Sequence, residues 1–446
     1  MRYTEIKKIT RQIISFAVPL QLGSMFVVFT ALINTKILGK NQMDLYLFAI
    51  FAPISYFIIA FQESFRAVAT GIAATYRTAP NVRSLFICLL LTAAIFGLLF
   101  YGIFLEFKNN IISFLQVNPK FSIKFQQFCE QMIFVNVLLI TLSIILNSFI
   151  TGLGFKKTGL LFSLTASLLT SSFLYFGIVY LKEDIHALVI SLQLTGVILC
   201  SSIFYFLLKQ TIFQIKFIKI TKADFCIILG SIKKIYVPIF TSYLTIFGGL
   251  IAYNSILADY GNDVLSGYFV GYRLQALVIL PAISIGSAMA ILVNHEKANK
   301  AKNFLTITYI GIILSLIFYI LIGECIYYFR HELINYLVSS AEIKKSADHY
   351  LQYVSRTDWL FGPMLVFLTM LEQTGYGLYV LIANILYVGL VASIGKYFSV
   401  THHNYISFYQ TIFYANCIFP LLIFSSFWFF KRIKHNRRNL CLFQQI

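Results

Sequence analysis

The chain has 446 residues, of which 59% are hydrophobic and only 12% are charged, and its formal net charge is +18. A soluble protein of this length could not bury so much apolar surface, so the composition excludes an ordinary soluble globular fold. The positive charge alone would also fit a nucleic-acid-binding protein, and only its distribution along the chain can decide between the two explanations.

Apolar segments of about 20 residues recur along the chain, and each is long enough to cross a hydrocarbon core of about 30 Å. Continuous apolar runs predict helices rather than the strands of a barrel. We therefore predict an all-α integral membrane protein with about twelve transmembrane helices. The predicted spans are 12–35, 45–70, 84–105, 128–150, 159–181, 187–208, 236–257, 264–292, 304–328, 354–374, 378–399 and 405–430.

The basic residues lie mainly in alternate loops. With the N-terminus inside, 22 of the 35 Lys and Arg residues fall on the cytoplasmic side and 10 on the outer side. This positive-inside bias predicts a protein of the cytoplasmic (inner) membrane with both termini in the cytoplasm. The partner of the basic loops is then the anionic surface of the lipid bilayer, not nucleic acid. We expect a monomer.

An internal repeat relates the two halves of the chain. Two pairs of positions share a separation of 219 residues, and two further pairs share a separation of 223. The pairs are Pro19 with Pro238 and Ala69 with Ala288, then Gly152 with Gly375 and Gly154 with Gly377. We predict an N-terminal lobe at 1–208, a basic cytoplasmic linker at 209–235, and a C-terminal lobe at 236–446 that includes a basic tail. Since six spans is an even number, the lobes form a parallel pseudo-two-fold repeat.

Three stretches carry a resemblance to a known family: the opening "AVPLQLGSMFVVFTALINTKILG", the turn "TGLGFKKTG" after span 4, and "DVLSGYFVGYRLQALVILPAISIGSAMAILVNHEKANKAKN" after span 7. The chain resembles the multidrug and toxic compound extrusion (MATE) family, within the superfamily that also holds lipid-linked oligosaccharide flippases. The resemblance implies a secondary exporter that exchanges a proton or a sodium ion for a small organic solute by alternating access.

The carboxylates that the resemblance implies for cation coupling are missing. The span 1 aspartate of the family falls on Asn34, 15 residues after the proline of that span. The span 7 glutamate falls near Ile246 or Phe247, and the span 10 aspartate near Gly362 or Pro363. An amide does not titrate, so Asn34 cannot carry a proton. We expect coupling to H⁺ or Na⁺ to be atypical or lost.

A few polar residues within the spans are the candidates for binding a substrate or a cation, because charges at bilayer depth are costly and usually face a partner or a cavity. Glu63 and Arg66 are three residues apart and share a helix face. They form either a mutual ion pair or a cavity-facing pair from which a ligand displaces one partner. The full set of candidates is Asn34, Glu63, Arg66, Tyr253, Arg273 and Glu372.

The other candidates also have two readings each. Asn34 is either a helix–helix hydrogen-bonding residue or a ligand. Arg273 either anchors a helix or contacts an anionic substrate, and Glu372 is either a wetted residue at the cytoplasmic end of span 10 or part of a site. Asp358, near the outer end of the same span, could pair with Arg356.

Three classes of function remain. The first is a MATE-like exporter, and the alternative is a flippase for a lipid-linked oligosaccharide or another amphiphilic anion. The third, a membrane enzyme, is disfavoured because the longest outer loop, 330–353, offers only two histidines. A phosphate-binding GxxxxGK[ST] loop is missing from the sequence, and no cofactor or metal site is predicted.

Overall fold

The computed structural model describes residues 3–38, 42–114, 117, 121–209, 220–298, 304–338 and 340–443. Residues 210–219 of the predicted linker lie outside the described residues, as do the side chains of the predicted basic tail beyond residue 427. The described residues form helices joined by short turns. The helices are α1 (Tyr3–Leu38), α2 (Gln42–Thr75), α3 (Val82–Phe114), α4 (Ser122–Phe134), α5 (Thr141–Leu153), α6 (Lys156–Val179), α7 (His186–Lys209), α8 (Lys222–Ser231), α9 (Val237–Ala258), α10 (Asn262–Ala298), α11 (Phe304–Tyr328), α12 (Arg330–Leu337), α13 (Ala341–Val354), α14 (Asp358–Leu371), α15 (Gly377–His402) and α16 (Tyr405–Phe443).

The predicted membrane architecture is confirmed. Among the described residues, 11 helical segments are long and apolar enough to cross a membrane. One of them, Ala341–His402, contains both of the predicted spans 354–374 and 378–399. Apart from the last two residues of the span predicted at 159–181, every predicted span lies on helix, as expected where lipid leaves no other partner for backbone N–H and C=O groups.

Residues 330–353, which the sequence predicted as an outer loop, are largely helical. They form α12 and most of α13. Helix α13 buries one face, which includes Ala347, Tyr350 and Val354, and leaves its other face polar. The spacing of these apolar residues is the ordinary pattern of an amphipathic helix, which the search for continuous apolar spans overlooks.

Irregular turns interrupt the long helices at three places. π-Helical turns occupy Val135–Ile140, Ile232–Tyr236 and Glu372–Tyr376. Gly154 and Gly375 have left-handed backbones, with φ of 108° and 96°. A side chain there would be strained, so both positions require glycine. The two glycines follow the fourth predicted span of each half, but the predicted repeat does not pair them with each other.

The chain forms two compact units. Unit 1 comprises Met1–Leu244, Ser287–Ile307 and Met370–Leu378, and unit 2 comprises Thr245–Gly286, Thr308–Thr369 and Tyr379–Ile446. Helix α10 contributes to both units. In unit 1, α2 packs on α5, α1 on α6, and α6 on α7. In unit 2, α13 packs on α16 around the buried rings of Tyr268, Tyr350 and Tyr409.

Lys124 of α4 joins two other elements of unit 1. Its Nζ is 2.7 Å from Asp184 Oδ2, in the turn after α6, and 3.7 Å from Asp44 Oδ1, in the first turn of α2. Burial alone would raise the pKa of Asp184. The hydrogen bonds from Lys124 and from the backbone N–H of His186, together with the positive charge of Lys124, lower that pKa below its ordinary value.

Candidate functional site

Charged side chains from distant parts of the sequence meet in unit 1. Glu63 and Arg66 lie on α2, and Glu372 begins the π-turn that follows α14. Arg66 Nε donates to Glu63 Oε2 at 2.6 Å, and Arg66 Nη2 is 2.5 Å from the same oxygen. Glu372 is close enough for its charge to interact with those of Arg66 and Glu63. We call these three residues, with Tyr243 and Ser242, the charged cluster.

Helix α9 supplies the uncharged members of the cluster. Tyr243 lies within electrostatic reach of Glu63, Arg66 and Glu372, and the buried Ser242 lies beside the Glu372 carboxylate. α2, α9 and the π-turn therefore converge on one set of polar groups. Each of these elements is part of a membrane-spanning helix.

Hydrogen bonds hold the π-turn in place. Gln373 Nε2 donates to Ser287 Oγ at 2.8 Å, and Asn294 Nδ2 donates to the Gln373 carbonyl oxygen at 3.2 Å. Ser287 and Asn294 both belong to the part of α10 that lies in unit 1. The position of Glu372 is thus set by neighbours on a second helix. A π-turn redirects one side chain without ending the helix, and such turns are frequent at functional sites.

The charged cluster contains two carboxylates and one guanidinium. The Arg66 and Glu63 side chains are 23% and 27% exposed, so they remain partly accessible. Among the described residues, Arg66 is the cation near Glu372, and it binds one Glu63 oxygen directly. A second anion within a membrane span is costly unless it takes up a proton or a cation.

Asn34 lies elsewhere in unit 1, on the interface between α1 and α6. Its side chain is buried, and its Oδ1 accepts a hydrogen bond from Ser171 Oγ at 3.3 Å. This is the helix–helix contact that one of its two readings predicted.

Two candidates lie in unit 2. Arg273 of α10 is exposed, and among the described residues it forms no ion pair with a carboxylate. Tyr253 of α9 is buried against Phe408, with ring centroids 5.4 Å apart, and its hydroxyl lacks a hydrogen-bond partner within the described part of the chain.

Asp358 does not pair with Arg356. The Arg356 guanidinium lies 4.3 Å from the centre of the Tyr327 ring and donates to the hydroxyl of that tyrosine. Asp358 is instead 1% exposed, and its Oδ1 has no hydrogen-bond partner in the described ranges. Residues two positions apart project from different faces of a helix, which is why Asp358 and Arg356 do not meet.

The sequence did not indicate Tyr243 or Ser242. Both lie in a helix that is rich in aromatic and hydroxyl side chains, and neither stands out from its neighbours by type. The repeat gives no signal for them, because at its separation of 219 residues Asn34 corresponds to Tyr253.

Comparisons with known proteins agree with this architecture. A family model described as MatE matches residues 238–398. The multidrug export protein MepA of Staphylococcus haemolyticus (strain JCSC1435) is 22% identical over 388 residues, which cover 84% of each chain. Among solved structures, the Vibrio cholerae MATE transporter VcmN in its bent form has a TM-score of 0.85 at 14% identity, covering 95% of this chain and 97% of that one. A MOP superfamily transporter from Pyrococcus furiosus, described as having a binding pocket of reversed polarity that suggests a different function, has a TM-score of 0.83 at 16% identity, covering 96% of each chain.

The fold and the ionisable residues within its spans define a polytopic, all-helical membrane protein with the fold of solved MATE transporters. Within that class, the MatE family model and the MepA relative make the chain similar in sequence to MATE transporters.

Proposed function

We propose that this protein is a secondary exporter that moves small organic solutes, cationic or neutral, across the cytoplasmic membrane by alternating access. Its coupling ion is a proton, and the proton is carried by the charged cluster instead of the three carboxylates expected for the family. Glu372 is the proton carrier, and Arg66 sets the charge balance between Glu372 and Glu63.

The observation that carries this proposal is the excess of carboxylate over guanidinium in the charged cluster. With both glutamates ionised, the three side chains have a net charge of −1. Protonation of Glu372 makes the cluster neutral, and loss of that proton restores the site for the next cycle. The alternation between a charged and a neutral site is what coupling to a gradient requires.

The positions of the expected carboxylates support a displaced coupling site. Asn34 cannot titrate, and its amide is already hydrogen-bonded to Ser171. Neither Ile246 nor Gly362 can bind a cation through its side chain. Coupling through Glu372 would make this chain atypical without making it uncoupled.

The carboxylate excess also argues against the flippase alternative. An anionic lipid-linked sugar would be expected to meet unpaired basic groups, whereas Arg66 is occupied by Glu63. Arg273 alone is left to favour such a substrate. The MepA relative, whose name is that of a multidrug export protein, adds support for organic solutes.

Transport by the purified protein in liposomes tests the proposal. Proton and sodium gradients are imposed separately, and ethidium serves as the organic cation. We expect efflux driven by the proton gradient, and we expect Glu372→Gln to reduce the proton-driven rate by at least about tenfold, which corresponds to about 1.4 kcal/mol in the barrier. Glu324→Gln is the matched control, because Glu324 is an exposed glutamate of the spanning helix α11.

Binding measurements separate coupling from folding. The Glu372→Gln protein should still bind ethidium, with an affinity that no longer varies with pH, since the titrating group is gone. Proton-driven transport that survives in Glu372→Gln would refute the assignment of the carrier. Transport of lipid-linked sugar, with none of ethidium, would favour the flippase.

A further inference from the structure

A buried histidine connects three elements at one end of unit 1, away from the charged cluster. His295 of α10 is 8% exposed. Its Nδ1 is 3.1 Å from Arg77 Nη1, in the turn between α2 and α3, and its Nε2 is 2.8 Å from the carbonyl oxygen of Gly152, in the last turn of α5. Through His295, a segment from the second half of the sequence is bonded to two elements of the first half.

The partners of His295 determine its protonation state. A guanidinium can only donate, so Nδ1 must be the acceptor of the bond from Arg77. A backbone carbonyl can only accept, so Nε2 carries the proton and donates it to Gly152. The neutral imidazole with its proton on Nε2 satisfies both bonds, and no other state of the ring does so.

The other groups around His295 disfavour the addition of a second proton to its ring. The edge of its ring contacts Phe16 of α1, with centroids 6.0 Å apart. Lys156 of α6 lies over the same phenyl ring, with its Nζ 4.4 Å from the centroid. Glu296 is the nearest acidic residue in sequence, and it points about 100° away around α10. Among the described residues, the charged groups that face His295 from the packed elements are Arg77 directly and Lys156 across Phe16, and both are positive.

We propose that His295 is a pH-sensitive latch that holds the Ser287–Ala298 portion of α10 against the ends of α2 and α5. A second proton on Nδ1 would convert the acceptor into a donor and leave two cations 3.1 Å apart, so the bond with Arg77 would break. Acidification on this side of the membrane, which the positive-inside bias makes the cytoplasm, then loosens this end of unit 1. The consequence for transport rests on the proposed alternating access, whereas the latch itself does not.

Hydrogen exchange measured by mass spectrometry tests the latch on the full chain in nanodiscs. Exchange of peptides covering 287–298 is compared over a series from about pH 8 to about pH 4.5, which extends below the ordinary histidine range because the positive surroundings disfavour the second proton, after correction for the intrinsic rate. We expect protection to fall at least about tenfold on acidification, as an opened segment exchanges faster. In His295→Gln, the side-chain amide can still donate to Gly152 but never gains a charge, so protection should not depend on pH.

Two further variants sharpen the test. His349→Gln, which removes a partly buried histidine of unit 2 bonded to Tyr405, should keep the full response of the wild type. Arg77→Gln should reduce the response, because a protonated His295 would no longer face a cation there. A wild-type segment with no pH response, or an equal response in His295→Gln, overturns the proposal. If the wild-type protein shows the pH response in hydrogen exchange but does not transport ethidium, the proposed function is wrong and the latch still stands.

Discussion

The Asn34 side chain is uncharged, and its hydrogen bond contributes little to the stability of unit 1. The Ser171 hydroxyl is 3.3 Å from its Oδ1, which is long for an O–H···O bond, and such bonds between membrane helices average about 0.6 kcal/mol. A residue that contributes so little can be exchanged without loss of the fold. Asn34 is therefore a suitable place to ask whether the coupling site of the family can be restored.

Asn34→Asp should introduce a titratable step. A carboxyl group in this buried position would add a pH-dependent component to ethidium binding that the wild type lacks. Asn34→Leu should lower the free energy of unfolding by no more than about 0.6 kcal/mol, through the lost hydrogen bond, and leave the pH profile unchanged. Binding titrations over a range of pH, with thermal unfolding in detergent, measure both. An aspartate variant with the wild-type profile would show that the position has no access to the solute or the proton.

At the scale of helices, α2 and α5 approach each other closely at Gly152. A Cβ atom at this position would be 2.7 Å from the carbonyl oxygen of Thr70 and 2.8 Å from Ala73 Cβ. Both neighbours belong to α2, and the nearer atom is backbone, which cannot rotate away. Small residues at membrane helix interfaces have this purpose, since they let two backbones pack closely where lipid provides no hydrophobic drive.

Gly152→Ala should consequently destabilise unit 1. Overpacking of this kind typically costs about 1–3 kcal/mol. Gly102→Ala is the matched control, because a Cβ atom at Gly102 of α3 would meet no atom within 4 Å. That variant should be neutral or more stable by about 0.5–1 kcal/mol, through the better helix propensity of alanine. Thermal unfolding of the two purified variants gives the comparison, and equal midpoints would contradict the close approach of α2 and α5.

At the scale of the whole molecule, the long apolar helices explain both the fold and its surroundings. Large apolar side chains stay exposed along their lengths, and Leu98, Leu99 and Ile103 of α3 are each more than half exposed. In water, such surfaces would aggregate, but in a bilayer they face lipid. The positive-inside bias of the basic loops predicts the direction in which the chain is inserted.

Labelling of single cysteines in intact cells tests that direction. Lys157, in the first turn of α6, and Lys396, near the end of α15, are both exposed, and the charge bias assigns them to the cytoplasm and to the outside. With Cys226 and Cys325 replaced by serine, a membrane-impermeant maleimide should label Lys396→Cys but not Lys157→Cys. Labelling of Lys157→Cys should appear only after the cells are permeabilised. The reverse pattern would invert the topology and move the His295 latch to the outer side.

The all-helical fold and its spans were predictable because each depends on a local property. A span requires an apolar run of sufficient length, and no lipid-exposed alternative to the helix exists. These properties depend on a few consecutive residues and not on the helices against which those residues pack. For the same reason α13, whose burial depends on a neighbouring helix, was predicted as loop.

The sites depended on tertiary structure. Glu372 reaches Arg66 only because a π-turn redirects it, and His295 reaches Arg77 only because part of α10 packs into unit 1. In water, an amphipathic pattern would indicate which face of each helix is buried. In a membrane, lipid and protein interior are equally apolar, so the sequence of a span carries little information on its rotation. The sequence alone determined that these charges lie within the membrane, and helix packing decided which of them meet.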